Sequence, residues 1–196
     1  MLSSVIHEPI PGWFDWEKLY SHHVGIAPEG GTLVEIGCWH GKSLAFLGDI
    51  AKQADKRLEI IGVDHAIGSS EHKWEMDRNP LGNIAGELVA NLVRAKVFPS
   101  PVGLMLMPSH VAAGFFPFNS IDLVFLDASH DEESLTNDLK VWYPLVKPGG
   151  TIAGHDYVGG WPGVVAAVNN FFAPKFGLPE FRSGWCGSCW EVKKPE

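Results

Sequence analysis

Five short β-branched runs punctuate the chain: Thr32 to Gly37 (TLVEIG), Leu58 to Asp64 (LEIIGVD), Val102 to Met107 (VGLMLM), Ile121 to Asp127 (IDLVFLD) and Thr151 to Asp156 (TIAGHD). Helix-length stretches separate them, and that alternation predicts a parallel sheet covered by helices. From Asn83, the residues Ile84, Leu88 and Leu92 recur at four-residue steps with Val89 and Val93 beside them. After Asp131, Leu135, Leu139, Trp142 and Val146 share one face. Both patterns predict helices laid on the sheet. Lys147-Pro148-Gly149-Gly150 then reads as the end of the second helix, since Pro cannot continue its ladder and Gly can take positive φ before the next strand. GVVAAVNNFF after Pro162 predicts a further short helix, and Pro11 to His22, with Trp13, Phe14, Trp16 and Leu19, an N-terminal one.

Two stretches break this rhythm. Phe181 to Val192 (FRSGWCGSCWEV) reads as two arms around Gly187-Ser188, a favoured two-residue turn, so an antiparallel hairpin is expected to close the sheet. His65 to Pro80 has no period and reads as an insertion at the edge where the strands end, with His72 and Trp74 as candidate ligand contacts. The expected organisation is an N-terminal helical cap over residues 1–30 and one α/β domain over 31–196.

Composition narrows the function. The chain has 196 residues and a net charge of -8, and its 15 basic residues are scattered, which argues against a nucleic-acid partner and for a small molecule. No basic segment leads into an apolar run at the N-terminus and no apolar stretch is long enough to span a bilayer, so a cytoplasmic protein is expected. Three cysteines are too few for a disulfide scaffold. Trp185-Cys186-Gly187-Ser188-Cys189 looks like a redox motif, but only seven residues follow Cys189 and no helix can open at the first Cys. It is read as a hairpin tip, which could ligate zinc only with two further ligands.

The candidate chemistry gathers at strand ends. Glu35-Ile-Gly37-Cys38-Trp39-His40-Gly41-Lys-Ser43 is a strand-to-helix turn in which Gly37 permits a sharp bend, Gly41 permits a ligand to approach, and helix amides face an anionic group. Asp64 ends the second strand 27 residues after Gly37, where an acid can accept both hydroxyls of a ribose. The pair suits a nucleoside ligand, and the absence of Gly-x-Gly-x-x-Gly argues against a dinucleotide. Asp127 with His130, and His155 with Asp156, end the fourth and fifth strands. Two carboxylates and two imidazoles there suit a divalent cation, most simply Mg²⁺.

Glu35-x-Gly37-x-x-x-Gly41-x-Ser43 resembles the first motif of the class I S-adenosylmethionine-dependent methyltransferases, over about residues 30 to 192. The resemblance implies a Rossmann-like, seven-stranded sheet with an antiparallel last strand. It implies a donor held by Glu35, Gly37, Cys38, Trp39, Gly41 and Ser43, a ribose on Asp64 with His65 beside it, an adenine near Ser109 and His110, and donor contact from Asp127. Asp127-x-x-His130 followed by Lys147-Pro148-Gly149-Gly150 and His155-Asp156-Tyr157 is similar to a bacterial small-molecule branch, methyltransferase-24-like, itself related to the cation-dependent catechol type. That likeness puts Asp127 and Asp156 on the metal carboxylates and His130 on the position of a general-base Lys. Tyr157 replaces an Asn ligand, with His155 as the candidate substitute, although imidazole suits Zn²⁺, Mn²⁺ or Fe²⁺ better than Mg²⁺. An imidazole with a reference pKa near ~6.5 can take a proton at neutral pH. The expected activity is therefore methyl transfer to a hydroxyl of a small molecule. A metal-independent O- or N-methyltransferase, a nicotinamide-dependent oxidoreductase and a non-catalytic nucleoside-binding protein are the alternatives. A homo-oligomer is compatible with each.

Overall fold

The computed structural model describes residues 6–69, 83–176 and 185–196. In chain order the elements are α1 (Glu17–Ile26), β1 (Thr32–Ile36), α2 (Lys42–Gln53), β2 (Glu59–Asp64), α3 (Ile84–Arg94), β3 (Val102–Leu106), α4 (Ser109–Ala113), β4 (Ile121–Leu126), α5 (Glu132–Trp142), a 3₁₀ turn (Tyr143–Leu145), β5 (Val146–Gly154), α6 (Pro162–Phe176) and β6 (Trp190–Lys193). The strands form one sheet in the order β3-β2-β1-β4-β5-β6, in which only β6 runs antiparallel to its neighbour. Among the described residues the sheet has six strands, where the resemblance implied seven.

The five expected strands form at the expected places because each is apolar on both faces. On β1, Leu33 points into one core with Phe125 and Ile60, while Val34 and Ile36 point into the other with Val124 and Leu126. The first core is covered by α1, α2 and α3, the second by α4, α5 and α6. Such runs buried on both faces are what a helix-covered parallel sheet requires. Asn83 caps α3 by accepting from the Gly86 amide at 2.8 Å, and Asp131 caps α5 by accepting from Ser134 at 2.8 Å. In the register Ile36 lies opposite both Val63 and Leu126, and Leu126 opposite Gly154, so the carboxyl ends of β1, β2, β4 and β5 are level. Everything that follows these four strands opens onto one rim.

Two expectations fail locally. The N-terminal helix begins at Glu17, not Pro11. Gly12 has φ +124°, and the stretch 11–16 runs irregularly along the rim before Trp16, Leu19, Tyr20 and Val24 enter the first core. Val146 is not on the last turn of α5. Pro144 diverts the chain through the 3₁₀ turn, Val146 opens β5 opposite Ile121, and Lys147 to Gly150 bulge out within the strand. Lys147 Nζ holds that bulge against Asp122 Oδ2 at 2.8 Å, and Gly149 supplies φ +74°. At the C-terminal end β6 runs antiparallel to β5, as expected of the closing strand, while residues 181–184 of the expected hairpin's first arm lie outside the described residues. Around Gly187-Ser188 the chain is closed by a Cys186–Cys189 disulfide. Among the described residues no helix is long and apolar enough to cross a membrane.

Candidate active site

A cavity of about 490 Å³ opens at the rim where β1, β2, β4 and β5 end. One side of it is the loop from Gly37 to Gly41. Gly37 has φ +89°, and a Cβ there would collide with the Asp127 carbonyl oxygen, so the crossing of β1 and β4 admits no side chain at this position. Asp64 draws the loop inward: its Oδ2 accepts from the amides of Cys38 (2.8 Å) and Trp39 (2.9 Å), and its Oδ1 from Ala66 (2.6 Å). Three amide bonds to one carboxylate fix the turn before any ligand arrives. Trp39 accepts φ +46° there and stacks edge-on against His40.

Gly41 does a different job from the one expected. It caps α2 in the left-handed conformation, and a Cβ on it would press on Leu88 and Leu92 of α3. Its smallness seats one helix on another, and the residue itself does not line the cavity. Glu35 is likewise beneath the loop and not in the cavity wall. It is buried, and its oxygens accept from Tyr20 Oη at 2.5 Å and Ser43 Oγ at 2.6 Å, which ties α1, β1 and α2 together. Burial pushes its carboxyl up to about 8, against the two hydroxyl bonds, with Asp127 and Asp64 adding to the rise.

Opposite the loop stand the acids and imidazoles that follow β4 and β5. His130 Nε2 is 2.9 Å from Asp156 Oδ2, and its ring lies over Trp161 with centroids 4.2 Å apart. His155 Nδ1 is 3.2 Å from the same Asp156 oxygen and 4.0 Å from Asp127 Oδ1. On its other edge, His155 Nε2 meets Asp15 Oδ1 at 2.9 Å and Ser188 Oγ at 2.8 Å. Asp156 itself takes φ +61°, the turn that aims its carboxylate back between the two rings.

The charges follow from this packing. Burial alone would raise Asp156, but hydrogen bonds from His130 and His155 hold it well below the usual carboxylate range. Burial pushes Asp127 up to about 6, helped by Asp156 and opposed by His155 and His130. Burial acts against a charge on His155, yet its bond to Asp156 and the fields of Asp127, Asp156 and Asp15 prevail and take it up to about 9. At neutral pH the floor therefore carries an imidazolium at His155 between carboxylates, with Asp127 close to its own titration.

Gly37, Cys38, Trp39, Ser43, Asp64, His65, Ser109, Asp127, His130, His155 and Asp156 thus share one cavity wall, while Glu35, Gly41 and His110 stand outside it. Ser109 is held by donating to Asp138 Oδ1 at 2.6 Å and accepting from Trp142 Nε1 at 2.7 Å. Sequence reasoning singled out none of Asp15, Lys42 and Trp161, although it placed acceptor contacts in the N-terminal segment and in Val158 to Pro162, which hold the first and last of them. Lys42 Nζ reaches the Gly12 carbonyl at 3.2 Å and so hangs the Pro11-Gly12-Trp13 segment over the cavity. Nothing local marks these residues; only the packing of α1 beside β5 brings Asp15 to His155. His72 and Trp74 lie outside the described residues. Among the described residues, two groups could hold a metal ion. Asp127, His130 and Asp156 offer atoms within 4.8 Å of one another, and so do His155, Cys186 and Cys189.

Comparisons with known proteins agree with this architecture. The O-methyltransferase NovP superposes with a TM-score of 0.72 at 18% identity, over 92% of this chain and 79% of NovP. The calicheamicin methyltransferase CalS11 gives 0.66 at 14%, over 90% and 76%, and cofactor-bound Rv0187 from MTB gives 0.62 at 18%, over 97% and 87%. At such identities the likeness is one of fold. An uncharacterized protein of Acanthamoeba polyphaga mimivirus is 30% identical over 148 residues, covering 72% of this chain but only 59% of that relative. A model described as a methyltransferase domain matches residues 34–157, from within β1 through the loop, Asp64, Asp127 and His130 to Tyr157. Because that match takes in well over half of the chain and both sides of the cavity, the chain belongs to this methyltransferase-domain family.

Proposed function

We propose that the protein transfers a methyl group from S-adenosylmethionine to a hydroxyl of a small molecule, as a cytoplasmic enzyme. The observation that carries this reading is the single cavity in which a preformed amide loop and Asp64 face an Asp-oriented histidine. Family membership supports the donor, and the O-methyltransferases NovP and CalS11 share the fold. The donor's charged methionine end suits the loop and the start of α2, its ribose hydroxyls suit the remaining lone pair of Asp64, and Ser109 borders the adenine end.

His130 Nε2 faces Asp156 Oδ2 at 2.9 Å, and with the ring proton kept on that side the basic lone pair stands on Nδ1. In the reaction that lone pair takes the hydroxyl proton, the oxygen attacks the methyl carbon in line, and the carbon–sulfur bond breaks to release neutral S-adenosylhomocysteine. Trp161 keeps the imidazole from rotating away, so positioning supplies much of the acceleration. Asp127 and Asp156, with His130 at their edge, form a donor set that fits a divalent cation such as Mg²⁺. A bound ion would make the acceptor hydroxyl more acidic. His155, bound on both edges, is the counter-charge of these carboxylates and stands apart from that set.

Calorimetry with S-adenosylhomocysteine and with NAD, each with and without Mg²⁺, tests the reading. Binding of the first ligand alone is expected, and no heat with S-adenosylhomocysteine would overturn it. With an acceptor found by screening, His130→Gln is expected to lower turnover at unchanged donor affinity. Full turnover in that variant removes His130 as the base, and unchanged turnover after chelation removes the cation.

A further inference from the structure

The hairpin tip rests on the active-site histidine. The Tyr157 amide donates to the Ser188 carbonyl at 2.9 Å, and Ser188 Oγ lies 2.8 Å from His155 Nε2. A ring nitrogen of His155 and both sulfurs of Cys186 and Cys189 lie within 4.8 Å of one another. Both cysteines are buried, Cys189 completely. Spacing C-x-x-C supplies two sulfurs, and the fold supplies the third ligand that local sequence could not show.

We propose that reduction of the Cys186–Cys189 disulfide opens a Zn²⁺ site made of Cys186, Cys189 and His155. In the oxidised chain the sulfurs are bonded to each other and are no thiolate ligands. A thiol or phosphine reductant gives two cysteine thiols and is itself oxidised to its disulfide or phosphine oxide. Each thiol then releases its proton to solvent as its bond to zinc forms. His155, an imidazolium in the metal-free chain, releases its Nε2 proton to solvent and binds through that nitrogen, the edge that already faces the tip, while keeping its Nδ1 proton toward Asp156; Asp15 or a water completes four ligands.

Three features favour zinc over an incidental cluster. Two thiolates and an imidazole are the soft and borderline donors that select it over Mg²⁺. His155 Nδ1 faces Asp156 Oδ2 at 3.2 Å, the carboxylate–histidine pairing that fixes a metal-binding ring. The tip leads directly into β6, so a metal here would fasten the last strand to the residue that follows β5. The site stands whether or not the cavity transfers methyl groups.

Co²⁺ serves as the probe, because thiolate ligation adds a charge-transfer band that carboxylates and imidazoles cannot give. The full chain is reduced with a phosphine, desalted without oxygen and titrated with Co²⁺, then with Zn²⁺ as competitor. One thiolate-ligated equivalent is expected in the reduced chain, seen as the thiolate band and the intense visible bands of a tetrahedral ion. The oxidised chain should show neither. Cys189→Ser is expected to lose the two-thiolate spectrum. His155→Gln should change the visible bands, and Asp156→Asn should keep the bands while weakening affinity by about 10–100-fold, as loss of a partner to a metal-bound histidine does. Equal Co²⁺ spectra for the reduced and oxidised chains overturn the proposal, and that comparison needs no variant to fold. A thiolate band unchanged in shape and affinity by His155→Gln removes His155 from the site.

Discussion

Glu35 is the residue at which motif and structure disagree most usefully, and Glu35→Gln tests what it does. Burial raises its carboxyl from 4.5 to about 8. Between these values the unfolded chain has lost the proton and the fold keeps it, so the folded state binds one proton more and stability falls as pH rises, by roughly 1 kcal/mol per pH unit. The contribution is complete below about pH 4.5 and lost above about 8, a span on the order of 4 kcal/mol. Glutamine has the shape of the neutral acid, with one oxygen to accept and one nitrogen to donate between Tyr20 and Ser43, whose oxygens can accept as well as donate. Urea unfolding of both proteins at pH 5, 6, 7 and 8 should therefore give curves that converge or cross. The variant should be within about 1 kcal/mol of the native chain at pH 5 and more stable by a few kcal/mol at pH 8. Asp127 and His155 are raised too and tilt both proteins the same way, so the difference isolates Glu35. Parallel curves would refute the buried, protonated acid. A loss of several kcal/mol at pH 5 would show that the carboxylate's charge, not its hydrogen bonding, holds α1 to the sheet.

Gly37→Ala forces a side chain into the left-handed region and against the Asp127 carbonyl. The strain alone costs about 1–2 kcal/mol, and we expect no calorimetric heat with S-adenosylhomocysteine together with a lowered melting temperature. Asp64→Asn keeps the shape but removes the charge that gathers the Cys38, Trp39 and Ala66 amides. Stability should fall by about 1–3 kcal/mol and donor affinity by at least about tenfold, read by denaturation and calorimetry. Trp161→Ala frees the His130 ring, so turnover should drop while donor affinity is kept; equal losses in both would assign Trp161 to the donor pocket.

How much of this was legible in the chain depends on the kind of force at work. The five parallel strands were legible because each is a run of β-branched residues that must be apolar on both faces, and the starts of α3 and α5 because the helical spacing begins directly after Asn83 and Asp131, which the structure shows as their caps. The end of α5 was not, because Val146 keeps the helical spacing even though Pro144 has already turned the chain. Helical periodicity cannot distinguish the last turn of a helix from the first residue of a buried strand. The Gly37 turn and Asp64 were readable as a pair, since β1 and β2 are consecutive and neighbouring. Gly41 and Glu35 share the same motif and serve the frame, because their partners, Leu88, Leu92 and Tyr20, lie far along the chain.

The two ends of the cavity differ in this respect for a physical reason. The loop side, where the proposed donor would sit, is made of backbone amides held by one carboxylate, and amides are positioned by φ, ψ and the next strand, all of which leave marks in a short stretch of sequence. The opposite side, proposed above for the acceptor, is made of side chains contributed from the stretch before α1, from the ends of β4 and β5, from the entry to α6 and from the disulfide tip. Each of these segments has an ordinary local reason to be where it is. Asp15 belongs to an irregular lead into a helix, Trp161 precedes a helix-starting Pro, and Ser188 turns a loop. Their meeting on His130, Asp156 and His155 follows from the register that levels β1, β4 and β5 and from α1 packing beside them. A change in that packing would move the His130, His155 and Asp156 cluster and leave the Gly37–Gly41 loop intact. Substitutions in α1 that loosen Trp16 or Leu19 should therefore lower turnover before they lower affinity for S-adenosylhomocysteine, and the reverse order would show that the loop, too, depends on the N-terminal helix.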